Sequence, residues 1–212
     1  MKKLIPMLFA AALMVTACEK TPDTGKLDDD YLVYTNYDDD TDFKQFSTYY
    51  MPDIVLIITD NADKPKYLYG TPASDIILAN FEKGMESAGY IRIADKSAAD
   101  LGLQVSYVED TYSFRFYNNY PWWYGYPWYW NFGYWGNWGG WYWPYNISYS
   151  YTTGSVLGEL VDLSPTPTTS KTLRVVWTTY ISGLLNPNGS LNTSEVQQSI
   201  SQAFSQSPYL KK

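Results

Sequence analysis

Histidine is absent from this 212-residue chain, and the absence removes whole classes of chemistry. A Ser-His-Asp or Cys-His relay, the usual imidazole proton shuttle and zinc sites built from His and Cys cannot be assembled. Cysteine occurs once, at Cys18, so no disulfide can close within the chain and stability must come from packing. Positive charge is scarce: 15 Lys and Arg stand against 22 Asp and Glu, a net charge of -7 that gives no global attraction for nucleic acid or anionic headgroups. No segment after Cys18 has an uninterrupted apolar run near the roughly 20 residues that span a bilayer. Carboxylates, serine, lysine and tyrosine remain as catalytic groups. A glycosidase-like acid pair would need its carboxyls roughly 5 to 10 Å apart across a cleft, and nothing in the spacing places one, so a carboxylate-dependent hydrolase is the most distant reading.

What is present begins with the first 18 residues. Lys2 and Lys3 form a positive start, Leu4 to Val15 an apolar middle, and Thr16 and Ala17 are small residues directly before the cysteine. The order of these parts resembles a bacterial lipoprotein signal, which makes residues 1–17 a signal peptide and Cys18 the lipidated first residue of the mature protein. Several acyl chains on one residue, at roughly 0.8 kcal/mol per buried methylene, would hold the chain at a membrane. Glu19 follows the cysteine in place of the aspartate associated with inner-membrane retention, so the expected address is the outer membrane of a cell envelope, facing periplasm or medium. Residues 18–30 are polar and acidic, and read as a linker with too little apolar surface to offset the entropy of ordering.

The rest reads as one domain. Tyr31 to Tyr37, Ser47 to Tyr50 and Ile54 to Thr59 have β-branched and aromatic strand composition. Asp38, Asp39, Asp40 and Asp42 form an acidic turn. An EF-hand counted from Asp38 would need glycine and glutamate where Phe43 and Tyr49 stand, so no metal is expected. Asp60 to Gly70 reads as a loop. Thr71-Pro72 starts a helix whose Ile77, Phe81, Met85 and Ala88 form one stripe, and Gly89 ends it. Strands are expected at Tyr90 to Ile93, at Asp100 to about Tyr112, and within Ser148 to Leu163. Thr172 to Ile181 is expected to alternate, with Leu173, Val175, Trp177 and Thr179 on one face. After a turn at Asn186 to Gly189, a last helix is expected near 194–206, with Ser194 and Gln197 at capping-box spacing, a stripe of Val196, Ile200, Ala203 and Phe204, and a stop at Pro208.

Between Tyr112 and Tyr151 lies every tryptophan except Trp177, interrupted by glycine and proline. This composition argues against a long helix and against a solvated loop, and fits a long hairpin connection or an irregular excursion packed on itself. Three readings stay open. The rings can cover one face of the sheet, each burying roughly 150 to 250 Å². They can form a platform for sugars or flat apolar ligands, with Asn118, Asn119, Asn131 and Asn137 supplying hydrogen bonds. They can meet a protein partner or the lipid interface. The candidate contact residues are Trp122, Trp123, Trp128, Trp130, Trp135, Trp138, Trp141 and Trp143.

Several separated features carry a family resemblance: Asp42-Phe43 and Phe46-Ser47-Thr48-Tyr49, Gly89-Tyr90, Ala99-Asp100-Leu101, Gly154, Leu160-Val161-Asp162, Val176-Trp177, Ile200, Ala203-Phe204 and Pro208. Their order and spacing resemble the DUF4136 family of bacterial envelope lipoproteins of unknown function, over nearly the whole of 31–209. The aromatic insertion, about 113–147, is longer and richer in tryptophan than the family pattern requires. The resemblance implies a small envelope domain and supplies no catalytic residue or cofactor. The expectation is a single α+β domain, a mostly antiparallel sheet packed against two helices with a long aromatic and Gly-rich excursion. Its expected role is non-enzymatic binding or envelope assembly, with an envelope protein as partner and a cell-surface glycan as the alternative.

Overall fold

The computed structural model describes residues 31–59, 66–109, 135, 141–145, 153–164 and 172–212. Its centre is three long antiparallel strands. In the middle lies β8 (Val156–Asp162), paired on one side with β6 (Leu101–Val108) and on the other with β9 (Leu173–Ser182). All three are almost wholly buried, which is what a strand covered on both faces requires. The outer edge of β9 takes β1 (Leu32–Tyr37) antiparallel and the two-residue β7 (Trp141–Tyr142) parallel.

The other edge of β6 is shared by two short parallel strands. β2 (Thr48–Tyr50) pairs with its start and β3 (Val55–Ile58) with its end, and the Met51-Pro52-Asp53 break between them is where the sequence places it. β5 (Ile91–Arg92) extends the sheet beyond β2. β4 (Lys66–Leu68) pairs antiparallel with β3, so part of the expected 60–70 loop is an edge strand. Its Lys-Tyr-Leu sequence is too short for alternation to announce it. The sheet is therefore mixed: its long pairings are antiparallel, and parallel pairing is confined to short strands.

Helix α1 (Pro72–Ala88) starts at a reciprocal cap, in which Ser74 N–H donates to Thr71 Oγ1 at 3.1 Å and Thr71 N–H donates to Ser74 Oγ at 3.0 Å. It ends at Gly89, whose φ of 98° is the left-handed conformation glycine tolerates. Its whole expected stripe is buried. Helix α2 (Thr193–Ser205) is capped two positions earlier than the capping-box spacing implied, because Asn192 Oδ1 accepts from the N–H groups of Ser194 and Glu195. Asparagine caps as well as serine does, so composition alone could not choose between them.

The helices pack together over one face of the sheet. Phe204 of α2 sits edge-on to Phe81 of α1, and a Cβ on Gly84 would fall 2.2 Å from the Phe204 ring, so glycine permits this close approach. The helix-side core gathers Ile77, Phe81 and Met85 with Leu101, Leu103, Leu160, Trp177, Val196 and Ile200. Trp177 is fully buried, as expected, and donates its indole N–H to Ser207 Oγ at 3.0 Å.

The expected alternation along β9 is broken. Register shifts between Leu160 and Val161, where Leu160 pairs with Trp177 and Val161 with Val175, leaving Val176 as the extra residue of a bulge. Leu173 and Val175 consequently face away from the helices, while Trp177 and Ile181 face them. One inserted residue reverses the parity of a period-two pattern.

Candidate functional site

The opposite face of the sheet carries a second apolar cluster, with Leu56, Ile58, Val108, Leu157, Val161, Leu173, Val175 and Tyr180 from the strands. It is covered by aromatic residues of the insertion. Trp135 is buried in this cluster, and Trp143 and Tyr145 pack against it together with Tyr34 and Tyr50. Trp135 meets Tyr50 edge-on at 6.1 Å, and Lys96 Nζ lies 5.9 Å from the centre of its ring. Gly102 makes the seat, since a Cβ there would stand 2.3 Å from the Trp135 ring.

This apolar face has a polar row across its middle. Gln104 of β6, Glu159 of β8 and Thr178 of β9 are successive cross-strand neighbours, and all three are buried. The aromatic cover is fastened at the two ends of the row. Trp135 donates its indole N–H to Gln104 Oε1 at 3.1 Å, and the Tyr145 and Thr178 hydroxyls lie 2.9 Å apart in a hydrogen bond. Glu159, between them, is 1% exposed. Burial disfavours its charged form and pushes its pKa up to about 8. Among the described residues no salt bridge reaches it. Two residues along β6 on the same face, Ser106 Oγ is buried without a hydrogen-bond partner among the described residues.

Of the tryptophans singled out by sequence, the structure brings Trp135 and Trp143 onto this face and places Trp141 in β7. Trp122, Trp123, Trp128, Trp130 and Trp138 lie outside the described residues, as does Cys18. Tyr142, between Trp141 and Trp143 in the chain, is 40% exposed and pairs with Arg174, so its side chain points away from the Leu173 face. Sequence reasoning passed over Gln104 and Glu159, and the signal was available: two long polar side chains at the centres of otherwise apolar strands are costly unless partnered or protonated.

The acidic turn has a structural task. Asp38 is buried, forms an ion pair with Arg174 and accepts from Thr41 Oγ1 at 2.7 Å, while Asp39 and Asp40 are exposed. Its carboxylate oxygens lie within 4.8 Å of those of Asp39 and Asp40, but they are engaged in tying β1 to β9. A crevice of about 210 Å³ between α1 and α2 is lined mainly by exposed polar side chains, including Lys83, Ser87, Gln197 and Ser201, where Phe204 seats against Gly84.

The residues that carry the family resemblance hold the fold together. Phe43, Phe46 and Tyr49 enter the helix-side core, and Gly89 closes α1. Asp100 accepts from the N–H groups of Ser47 and Thr48 at 2.8 and 2.9 Å, which joins the start of β6 to that of β2. Burial pushes its pKa upward, but these bonds outweigh burial and hold its carboxyl below the usual range.

Comparison with known proteins gives a consistent result. The family described as "Domain of unknown function (DUF4136)" matches residues 33–209. A crystal structure of a DUF4136 family protein from Bacteroides thetaiotaomicron VPI-5482 is 48% identical, with a TM-score of 0.75, covering 87% of this chain and 99% of that one. A PelC dodecamer from Paraburkholderia phytofirmans, at 14% identity, covers 86% of this chain and 98% of that one with a TM-score of 0.40, too low to bear on the argument. No curated protein matches.

Proposed function

The chain belongs to the DUF4136 family, and from that premise we propose that it is a lipid-anchored envelope protein that binds a partner through the aromatic face of its sheet and performs no catalysis. One observation carries the reading. Both helices cover one face of the sheet, while the other is covered by aromatic side chains that run from buried Trp135 to half-buried Trp143 and Tyr145. Amphipathic rings in this gradation suit a contact surface, with the inner rings anchoring the outer ones. Among the described residues no helix is long and apolar enough to cross a membrane, and the signal pattern ending at Cys18 supplies the attachment instead.

Two measurements test the proposal. Metabolic labelling with an alkyne fatty acid should mark the wild-type protein and leave Cys18→Ser unmarked; equal labelling would remove the anchor. A photocrosslinking amino acid at Trp143 should give a discrete adduct in intact cells, whereas one at Ser201 on the exposed side of α2 should give none. Equal adducts from the two positions, or none, would remove the contact surface. The half-buried rings of Trp143 and Tyr145 also suit a sugar as occupant, so a tryptophan fluorescence response to purified envelope glycans, without a protein adduct, would select that alternative.

A further inference from the structure

We propose that the aromatic cover is fastened to the sheet by a proton: with Glu159 neutral, Trp135 and Tyr145 seat across β6, β8 and β9, and ionisation of Glu159 loosens them. The inference rests on reading this face as the contact surface and adds a control to it.

The geometry makes Glu159 the centre of the fastening. The two hydrogen bonds that hold the cover, from Trp135 to Gln104 and between Tyr145 and Thr178, attach to the strand neighbours on either side of it. Directly opposed residues on adjacent strands have Cβ atoms roughly 5 Å apart, so a charge on Glu159 would act on both attachment points. Gln104 has already directed its amide N–H to the Val105 carbonyl oxygen at 3.0 Å and its oxygen to Trp135. Solvating a carboxylate at this place therefore requires water, and water must displace the rings that exclude it.

Few other groups on this face can carry charge. Among the described residues, β6 offers Gly102, Gln104, Ser106 and Val108, and β3 offers Leu56 and Ile58, none of them titratable. The titratable groups among the described residues are the phenols of Tyr180 on β9, Tyr34 on β1, Tyr50 on β2 and Tyr145 in the cover, together with Lys96 over the Trp135 ring. Tyr180 is engaged with Ser155 and Tyr145 with Thr178. Among the described residues on this face Lys96 is the one cation, and burial lowers its pKa. The raised pKa of Glu159 puts its proton loss near neutral pH, where a change in the cover can be observed.

The test uses the full-length chain in detergent micelles, labelled with 5-fluorotryptophan, with the Trp135 ¹⁹F signal assigned by its loss in Trp135→Phe. Between pH 6 and 9.5 the wild-type signal should move with a midpoint near 8, and in Glu159→Gln it should hold its low-pH position throughout. A flat wild-type signal, or the same transition in Glu159→Gln, would overturn the proposal. Should Glu159→Gln fail to fold, the ¹³C carboxyl shift of Glu159 in the wild type decides instead: a midpoint that coincides with the Trp135 transition supports the fastening, and one below pH 5 removes it. No partner is present in these measurements, so failure here leaves the crosslinking result untouched, and failure to find a partner leaves this result untouched.

Discussion

A carboxyl group enclosed by a sheet and a layer of rings keeps its proton more tightly folded than unfolded, and this gives Glu159 a signature in stability. Burial raises its pKa from an ordinary 4.5 to about 8. Between these values the unfolded chain has released the proton while the folded chain retains it, so folding takes up a proton and stability falls as pH rises through the window. Below pH 4.5 both states are protonated and the contribution is intact. The slope for one full proton is about 1.4 kcal/mol per pH unit. Urea unfolding at pH 5.5, 6.5 and 7.5 should show this descent in the wild type and a shallower one in Glu159→Gln, which keeps the shape of the side chain without its charge. An unchanged slope in the variant would assign the pH dependence to other groups. The same residue marks the limit of a sequence reading. Its position inside the apolar run Val156 to Val161 is visible, whereas its cover belongs to residues tens of positions earlier, and no local pattern connects Trp135 to Gln104 or Tyr145 to Thr178.

Elements whose signals are local were legible almost residue by residue. Thr71, Pro72, the stripe from Ile77 to Ala88 and Gly89 specify α1 within one stretch of chain, and the helix runs from cap to cap as expected. Elements that depend on distant partners were less so. β4 forms because β3 offers it an edge, and the Val176 bulge is defined only by the pairing of β9 with β8, so alternation along β9 alone assigned Leu173 and Val175 to the same face as Trp177. The α2 terminus lies between these cases. Asn192 Oδ1 accepts from Ser194 and Glu195 N–H groups and from Ser194 Oγ at 2.8 Å, so Asn192 does the capping and Ser194 assists it. Asn192→Ala should cost about 1 kcal/mol in thermal or chemical unfolding, and Ser194→Ala a few tenths at most, as expected of a cap and an exposed neighbour. The reverse order of effects would return the cap to Ser194.

At the scale of the whole domain, the aromatic insertion interrupts the sheet without separating the strands it joins. Val108 N–H donates to the Ser155 carbonyl and Gly154 N–H to the Val108 carbonyl, each at 2.9 Å, so the chain leaves β6 and returns to β8 at adjacent points, as in a hairpin. Gly154, at a φ of 81°, completes the return. The insertion is thus an addition to an already closed antiparallel pair, and it supplies the cover of one face only, because the helix-side core contains none of its residues among those described. Replacing residues 110–152 by a two-residue Asn-Gly turn, which suits a β-hairpin, should preserve the far-UV dichroism and a cooperative melt, since β6, β8, β9 and both helices keep their mutual packing. The same change uncovers Leu157, Val161, Leu173, Val175 and Tyr180. An exposed apolar patch of this kind should bind a hydrophobic dye and promote association above micromolar concentration. Retained folding with dye binding would establish the insertion as a layer carried by the domain. Loss of the cooperative melt would show instead that the rings are part of the folding core, so that contact with a partner and stability of the sheet draw on the same residues.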